Sequence, residues 1–165
     1  RRLKDPAAPI ARLFAGATRL GEHLGPVLYQ LPPFLKATPE HLQRLDAFLA
    51  QLPADITHVV EFRDDSWYVP ATFDTLRRHG VAFCVHDMAG QHCPVAASGA
   101  TGYFRFHGPS GDYGGNYTEA MLQDWAGRIQ QATHDVGTVW AYFNNDIDGH
   151  AIENALRLRE LLAPQ

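Results

Sequence analysis

Five short segments of the chain begin apolar and end polar, and runs with helical spacing separate them. They lie at 27–30, 58–63, 83–87, 103–108 and 140–146. A continuous apolar run marks a strand buried on both faces, as in a parallel sheet. The polar tips are Gln30, then Glu61 and Arg63, His86 and Asp87, Arg105 and His107, and finally Asn144, Asn145 and Asp146. All stand at C-terminal strand ends, where parallel α/β folds build their sites.

Between these segments apolar residues recur every three or four positions. Residues 8–20 predict a helix with Leu13, Ala17 and Leu20 on one face and Gly21 as a stop. Thr38 and Pro39 make an N-cap and first turn. The helix they open carries Leu42, Leu45, Phe48, Leu49 and Leu52. Pro70 opens a short helix that Gly80 stops. Thr118 caps a helix with Met121, Leu122, Trp125 and Ile129, and Asp148 caps a last one with Ala151, Ala155, Leu158 and Leu162. The spacing predicts strands at 27–31, 58–62, 81–85, 103–107 and 138–143. The loop 108–116 holds glycines at 108, 111, 114 and 115, which is too many for a plain tight turn.

Strands alternating with helices predict parallel β-α units joined by right-handed crossovers. An open doubly wound sheet and part of a (β/α) barrel both fit. No Gly-x-Gly-x-x-Gly or Walker loop follows any strand. Nearly every strand offers a polar tip, as a circular rim requires, whereas an open sheet concentrates its site at one switch point. The 165 residues, 45% apolar, fit a single domain over 1–165.

Four segments carry a resemblance to a known family. Gly25-Pro26-Val27-Leu28-Tyr29-Gln30-Leu31-Pro32-Pro33 is similar to its Gly-x-hydrophobic-Gln-Leu-Pro-Pro stretch. Glu61-Phe62-Arg63-Asp64-Asp65-Ser66-Trp67 resembles its Glu-Phe-Arg-x-x-Ser-Trp. Arg105-Phe106-His107-Gly108 with Tyr113, and Tyr142-Phe143-Asn144-Asn145-Asp146 followed by Gly149, Ala151, Asn154 and Ala155, resemble its remaining two motifs. The family is the domain-of-unknown-function-72, or YecE-like, family. The resemblance implies an eight-stranded TIM-like barrel of about 250 residues. It spans only the last five β-α units, so the chain is expected to be a partial barrel, roughly the C-terminal two-thirds. It implies no particular reaction.

The formal net charge of −4 gives no overall field favouring nucleic acid or an anionic membrane. No apolar run approaches spanning length. Arg greatly outnumbers Lys, which is present only as Lys4 and Lys36. This suits anion recognition, though with abundant Ala it reads first as genomic base composition. Cys84 and Cys93 form no framework, and Cys84 reads as a core residue. A cytoplasmic location is expected. The chain begins Arg1-Arg2-Leu3, without Met or a secretory signal.

Strand alternation puts Glu61 and Arg63 on one face, either as a general base beside an anion-binding guanidinium or as a bracing ion pair. Arg105 and His107 share a face in the same way, and His107 suits acid–base work near neutral pH. Asn144 is expected to orient a ligand. Asn145 and Asn154 read as structural, and Asp146 and Asp148 shape the entry to the last helix. Gln30 either touches ligand or satisfies loop backbone. Trp67, Tyr113 and Tyr117 are candidate aromatic walls, Trp67 alternatively packing beneath a loop. His86, Asp87, His92 and Cys93 match no standard metal motif. A divalent ion held by Glu61, Asp87 and His107 is the alternative, and Arg63 and Arg105 oppose it. No cofactor is therefore expected.

These residues predict an enzyme, possible as hydrolase, lyase or isomerase, with an Arg-lined pocket for a small anionic or polyhydroxylated substrate. Glu61 and His107 are its catalytic candidates, with Arg63, Arg105, Asn144, Gln30, Trp67 and Tyr113 binding substrate. A metal-dependent phosphodiester-cleaving barrel and a non-catalytic ligand-binding protein are the rivals. Nucleic acid is not favoured as a partner, no membrane is expected, and oligomeric state is not legible.

Overall fold

The structure, a computed structural model, describes residues 3–110 and 113–163. Gly111, one of the loop glycines, lies outside the described residues, as do Arg1 and Arg2. The chain divides into two compact units, Arg1–Ala82 and Phe83–Gln165. It is an α/β fold of parallel strands alternating with helices. The described residues form five strands, short of the eight with which a TIM-like barrel closes. Among them no helix is long and apolar enough to cross a membrane.

In the first unit, α1 spans Ala7–Ala17 and buries Ile10 and Phe14. The periodic run then tightens into a 3-10 turn, Thr18–His23, so the α-helix ends before the expected Leu20. The Thr18 hydroxyl donates to the Phe14 carbonyl at 2.6 Å, and Gly21 takes a φ of 55° inside the turn. Strand β1 is Val27–Gln30 and β2 is His58–Glu61, paired in parallel with Val27 opposite His58 and Gln30 opposite Glu61. Helix α2, Pro39–Leu49, starts where Thr38 accepts from the His41 amide at 3.2 Å, and it buries Leu45, Phe48 and Leu49. Helix α3, Pro70–Arg78, gives way at Gly80, whose φ of 64° suits glycine.

In the second unit, β3 (Ala82–Asp87, whose first residue closes the first unit), β4 (Thr101–Phe106) and β5 (Thr138–Phe143) pair in parallel. Helix α4 is Glu119–Ala132, with Thr118 accepting from the Met121 amide at 3.3 Å. Helix α5 is His150–Leu162. Phe106 meets Trp125 of α4 edge-on at 5.1 Å and stacks on Phe143 at 4.5 Å. That places alternate residues of β4 and β5, Tyr103, Arg105, Trp140 and Tyr142, on the opposite face.

One expectation is corrected here, at Asp148. Strand β5 leaves Val139, Trp140 and Tyr142 36–40% exposed, as an end strand of the expected partial barrel does. It stands at the end of the strand order and pairs only with β4 among the described residues. Asp148 does not cap α5. Asp148 and Gly149 both take positive φ, 66° and 78°, so the cap position falls on Gly149, which has no side chain to cap with.

His58 begins β2 as a buried polar residue. Its Nε2 lies 2.8 Å from the Pro53 carbonyl, which can only accept, so Nε2 carries the proton. Nδ1 then accepts from the Tyr29 hydroxyl at 3.1 Å. Burial pushes the His58 pKa down and that of Tyr29 up to about 12. A lowered native pKa means the unfolded chain binds the proton more readily. The stability His58 contributes is therefore complete above about pH 6.5 and is lost as pH falls from there through the lowered native value. Urea unfolding at a series of pH values should show a steeper loss between neutral and mildly acidic pH in the wild type than in His58→Gln. Equal slopes would remove His58 from the account.

Candidate functional site

The first unit carries Glu61, Arg63 and Gln30 at the ends of β1 and β2. Glu61 is fully buried, and its carboxylate is ion-paired with Arg63, whose side chain is 6% exposed. Arg63 also reaches the exposed Gln30 carbonyl oxygen, at 3.5 Å. A buried pair of this kind is costly to break, because the survivor is left as an uncompensated charge. Trp67 takes the packing role rather than that of a ligand wall. It is fully buried, stacks on Phe62 at 4.8 Å, and donates its indole N–H to the Leu35 carbonyl at 2.6 Å. Ser66 accepts from the Ala37 amide at 2.8 Å, and Asp64 from the Ser66 amide at 3.0 Å. The Asp-Asp-Ser-Trp turn thus latches the loop that follows β1.

In the second unit the face opposite the helices is polar and aromatic. Arg105, partly exposed, donates to Asn144 Oδ1 at 3.5 Å. Asn144 extends the β5 ladder, its amide donating to the Phe106 carbonyl at 2.7 Å. His107 extends β4 in the same way, donating to the Asp87 carbonyl at 3.0 Å. Its ring stands edge-on to His86 at 6.3 Å, both rings buried, and 5.6 Å from the half-exposed Tyr113 ring. The His86 amide donates to Cys93 Sγ at 3.4 Å, which closes the 87–93 loop back onto β3. Tyr103 lies 5.1 Å from Tyr142, and burial, followed by Tyr142, raises its pKa above the usual phenol range. The sequence marks His86 as a strand tip and as part of a metal-like run without giving it a role, although the two-residue strand alternation already puts His86 on the Arg105 and His107 face.

Asp87 is turned the other way, into structure. Its carboxylate accepts from the Tyr117 hydroxyl at 2.9 Å, and that hydroxyl accepts from the Gly108 amide at 3.0 Å. Burial and then the charge of Asp87 push the Tyr117 pKa up, so the hydroxyl keeps its proton and donates. Tyr117 is buried against Phe106 and Phe143 and forms no open wall. The structural reading of Asn145 and Asn154 agrees with their contacts. Asn145 Nδ2 donates to the Gly115 carbonyl at 2.9 Å and to Asn154 Oδ1 at 2.8 Å. Asn154 Oδ1 also accepts from the Tyr117 amide at 3.3 Å, and Asn154 Nδ2 donates to Asn116 Oδ1 at 2.8 Å. These amides hold the base of the glycine loop. Within it Gly108 cannot be replaced freely, since its φ is 95° and an added Cβ would sit 2.2 Å from the Gly114 carbonyl oxygen.

Among the described residues no group of three or more His, Cys, Asp or Glu side chains could hold an ion. A groove of about 570 Å³ runs between β5 and α5, its lining including Val139, Trp140, Ala141, Leu156, Leu158 and Arg159. It touches none of the polar strand tips.

The profile of the family described as "Protein of unknown function DUF72" matches residues 1–165. The chain is 27% identical over 164 residues to the UPF0759 protein YunF of Bacillus subtilis (strain 168), covering 84% of itself and 58% of that protein. A DUF72 family protein from Thermotoga maritima has a solved structure similar to this one. The TM-score is 0.86 at 26% identity, over 96% of this chain and 66% of that one. A DUF72 family protein from Enterococcus faecalis shares the fold, with a TM-score of 0.83 at 19% identity over 98% of this chain and 68% of that one. The chain therefore spans a little under two-thirds of its first two relatives' lengths.

Asn154→Ala should destabilise the chain by roughly 2–3 kcal/mol, because Asn145 and the Tyr117 amide lose a buried partner together. Urea unfolding checks the magnitude, and hydrogen exchange should show the Tyr117 amide losing protection. An unchanged midpoint would mean that the loop base is held elsewhere.

Proposed function

The chain belongs to the DUF72 family, and from that premise we propose that it works as an enzyme on a small anionic or polyhydroxylated substrate. The observation that carries this reading is the contact of Arg105 with Asn144 on the polar face of β4 and β5, next to His107. An Arg fork matches a carboxylate, phosphate or sulfate group in a way a single ammonium does not. The Asn144 amide offers both a donor and an acceptor to a neighbouring hydroxyl or carbonyl.

His107 is the acid–base group of this reading, and Tyr113 is its aromatic wall. Hydrolysis, elimination and isomerisation all need such a proton carrier. In the first unit, Arg63 and Gln30 are read as binding groups and Glu61 as a base. Glu61 and Arg63 also brace each other, so their loss should cost stability as well as activity.

Screening small carboxylates, sulfates and phosphates by thermal unfolding tests the reading. A ligand at a hundred times its Kd should add about 2.7 kcal/mol of stability, and Arg105→Gln should abolish the gain. With a substrate so found, His107→Gln should keep binding and lose roughly 10²- to 10⁴-fold in kcat. Undiminished ligand stabilisation in Arg105→Gln would overturn the anion site. Full turnover in His107→Gln would overturn the catalytic role.

A further inference from the structure

His107 is the proton carrier of the reading above, yet it is only 2% exposed. A group that exchanges protons with a substrate must be within hydrogen-bond reach of it. The backbone of His107 is not free to move aside. Its amide donates to the Asp87 carbonyl at 3.0 Å, which ties the end of β4 to β3. On one side the His107 ring meets His86, itself buried and held on β3 opposite Arg105. On another it meets Tyr113, 5.6 Å away and 46% exposed. Of these two neighbouring rings, Tyr113 is the one that reaches solvent.

Tyr113 is also held in an unusual conformation. Its φ is 62°, in the left-handed region that a bulky side chain rarely adopts. Such strain persists only where the surroundings impose it, and it collects at ligand clamps and switches. The base of the glycine loop supplies a rigid frame. The Tyr117 hydroxyl accepts from the Gly108 amide, and Asn145 donates to the Gly115 carbonyl. The Gly108 and Gly114 backbones pass too close to leave room for a Cβ on Gly108. Tyr113 therefore stands at a fixed neck with its ring against a buried imidazole. A return of its backbone to negative φ would release the strain and swing the ring away.

Resting on the reading of His107 as a proton carrier, we infer that Tyr113 is a gate whose ring shuts His107 off from water and turns aside to admit a small ligand. The closed ring keeps water from the imidazole. Opening asks for no unfolding of β4 or α4, because the contacts of Gly108, Gly115 and Asn154 stay made. Gates of this kind move a few loop residues and leave the scaffold still.

Modification of the nine histidines by diethyl pyrocarbonate, located by peptide mass spectrometry, tests the gate without any substrate. In the wild type, His107 should react roughly tenfold or more slowly than the exposed His23 and His134. It should still react faster than the buried His58, which waits for larger openings. Low urea should speed His58 and leave His107 unchanged, since a one-residue opening exposes little surface. Tyr113→Asn removes the ring but keeps a residue that tolerates the left-handed conformation. It should raise the His107 rate roughly tenfold or more and leave His58 unchanged. Tyr113→Phe should match the wild type, because the ring and not the hydroxyl does the covering.

A wild-type His107 as reactive as His23 would mean that the imidazole is open and the gate does not exist. A slow His107 that Tyr113→Asn fails to release would put the cover elsewhere and end the proposal. A His107 rate that follows His58 through the urea series would tie its exposure to global unfolding and also end it. No substrate enters these measurements. Failure of the acid–base reading in His107→Gln would therefore leave the gate standing, and failure of the gate would leave the anion site at Arg105.

Discussion

The alternation of side chains along β4 and β5 is the constraint on which the second unit depends. Phe104, Phe106 and Phe143 share one pleat phase, and Phe106 meets Trp125 of α4. The other phase carries Tyr103, Arg105, Trp140 and Tyr142. A slip of one residue in either strand would drive an Arg or a Tyr against the helices and expose a Phe. The apolar phase therefore fixes the register, and the register aligns Arg105 with Tyr142. The polar face is a consequence of how the core packs.

Parallel strands cannot be joined by tight hairpins, so every strand end opens into a loop whose polar groups need partners. The chain meets this need with side chains in its strand-end motifs. Ser66 and Trp67 hold the loop after β1, and Tyr117, Asn145 and Asn154 hold the loop after β4. Of the residues the sequence offers as aromatic walls, Trp67 and Tyr117 belong to this scaffolding. Burial separates the two jobs. Glu61 and Asn145 are fully enclosed, whereas Arg105, Asn144, Tyr142 and Gln30 keep contact with solvent.

Local signals were the most legible. Thr38 and Thr118 cap their helices as expected because an N-cap needs only a side-chain oxygen and an amide two or three residues on. Asp148 misled because the φ of Asp148 and Gly149 decides where α5 begins, and the residue type alone does not report it. Tyr117 and Asp87 misled for a different reason. Asp87 ends a strand and Tyr117 lies in a loop, where their types suit a site, but they are each other's partners and lie far apart in sequence. No spacing rule reveals such a pairing.

The sequence by itself determined the order of strands and helices, the parallel α/β class, the polar character of the strand ends and the family. Each of these follows from periodicity, capping chemistry or contiguous motifs, which are short-range properties of the chain. Only the tertiary structure decided which polar residues are enclosed as latches and which face solvent. Burial depends on what packs against a residue from elsewhere in the chain, and hydrogen bonds such as Asn145 to Asn154 or Trp67 to Leu35 exist only once the loops have closed.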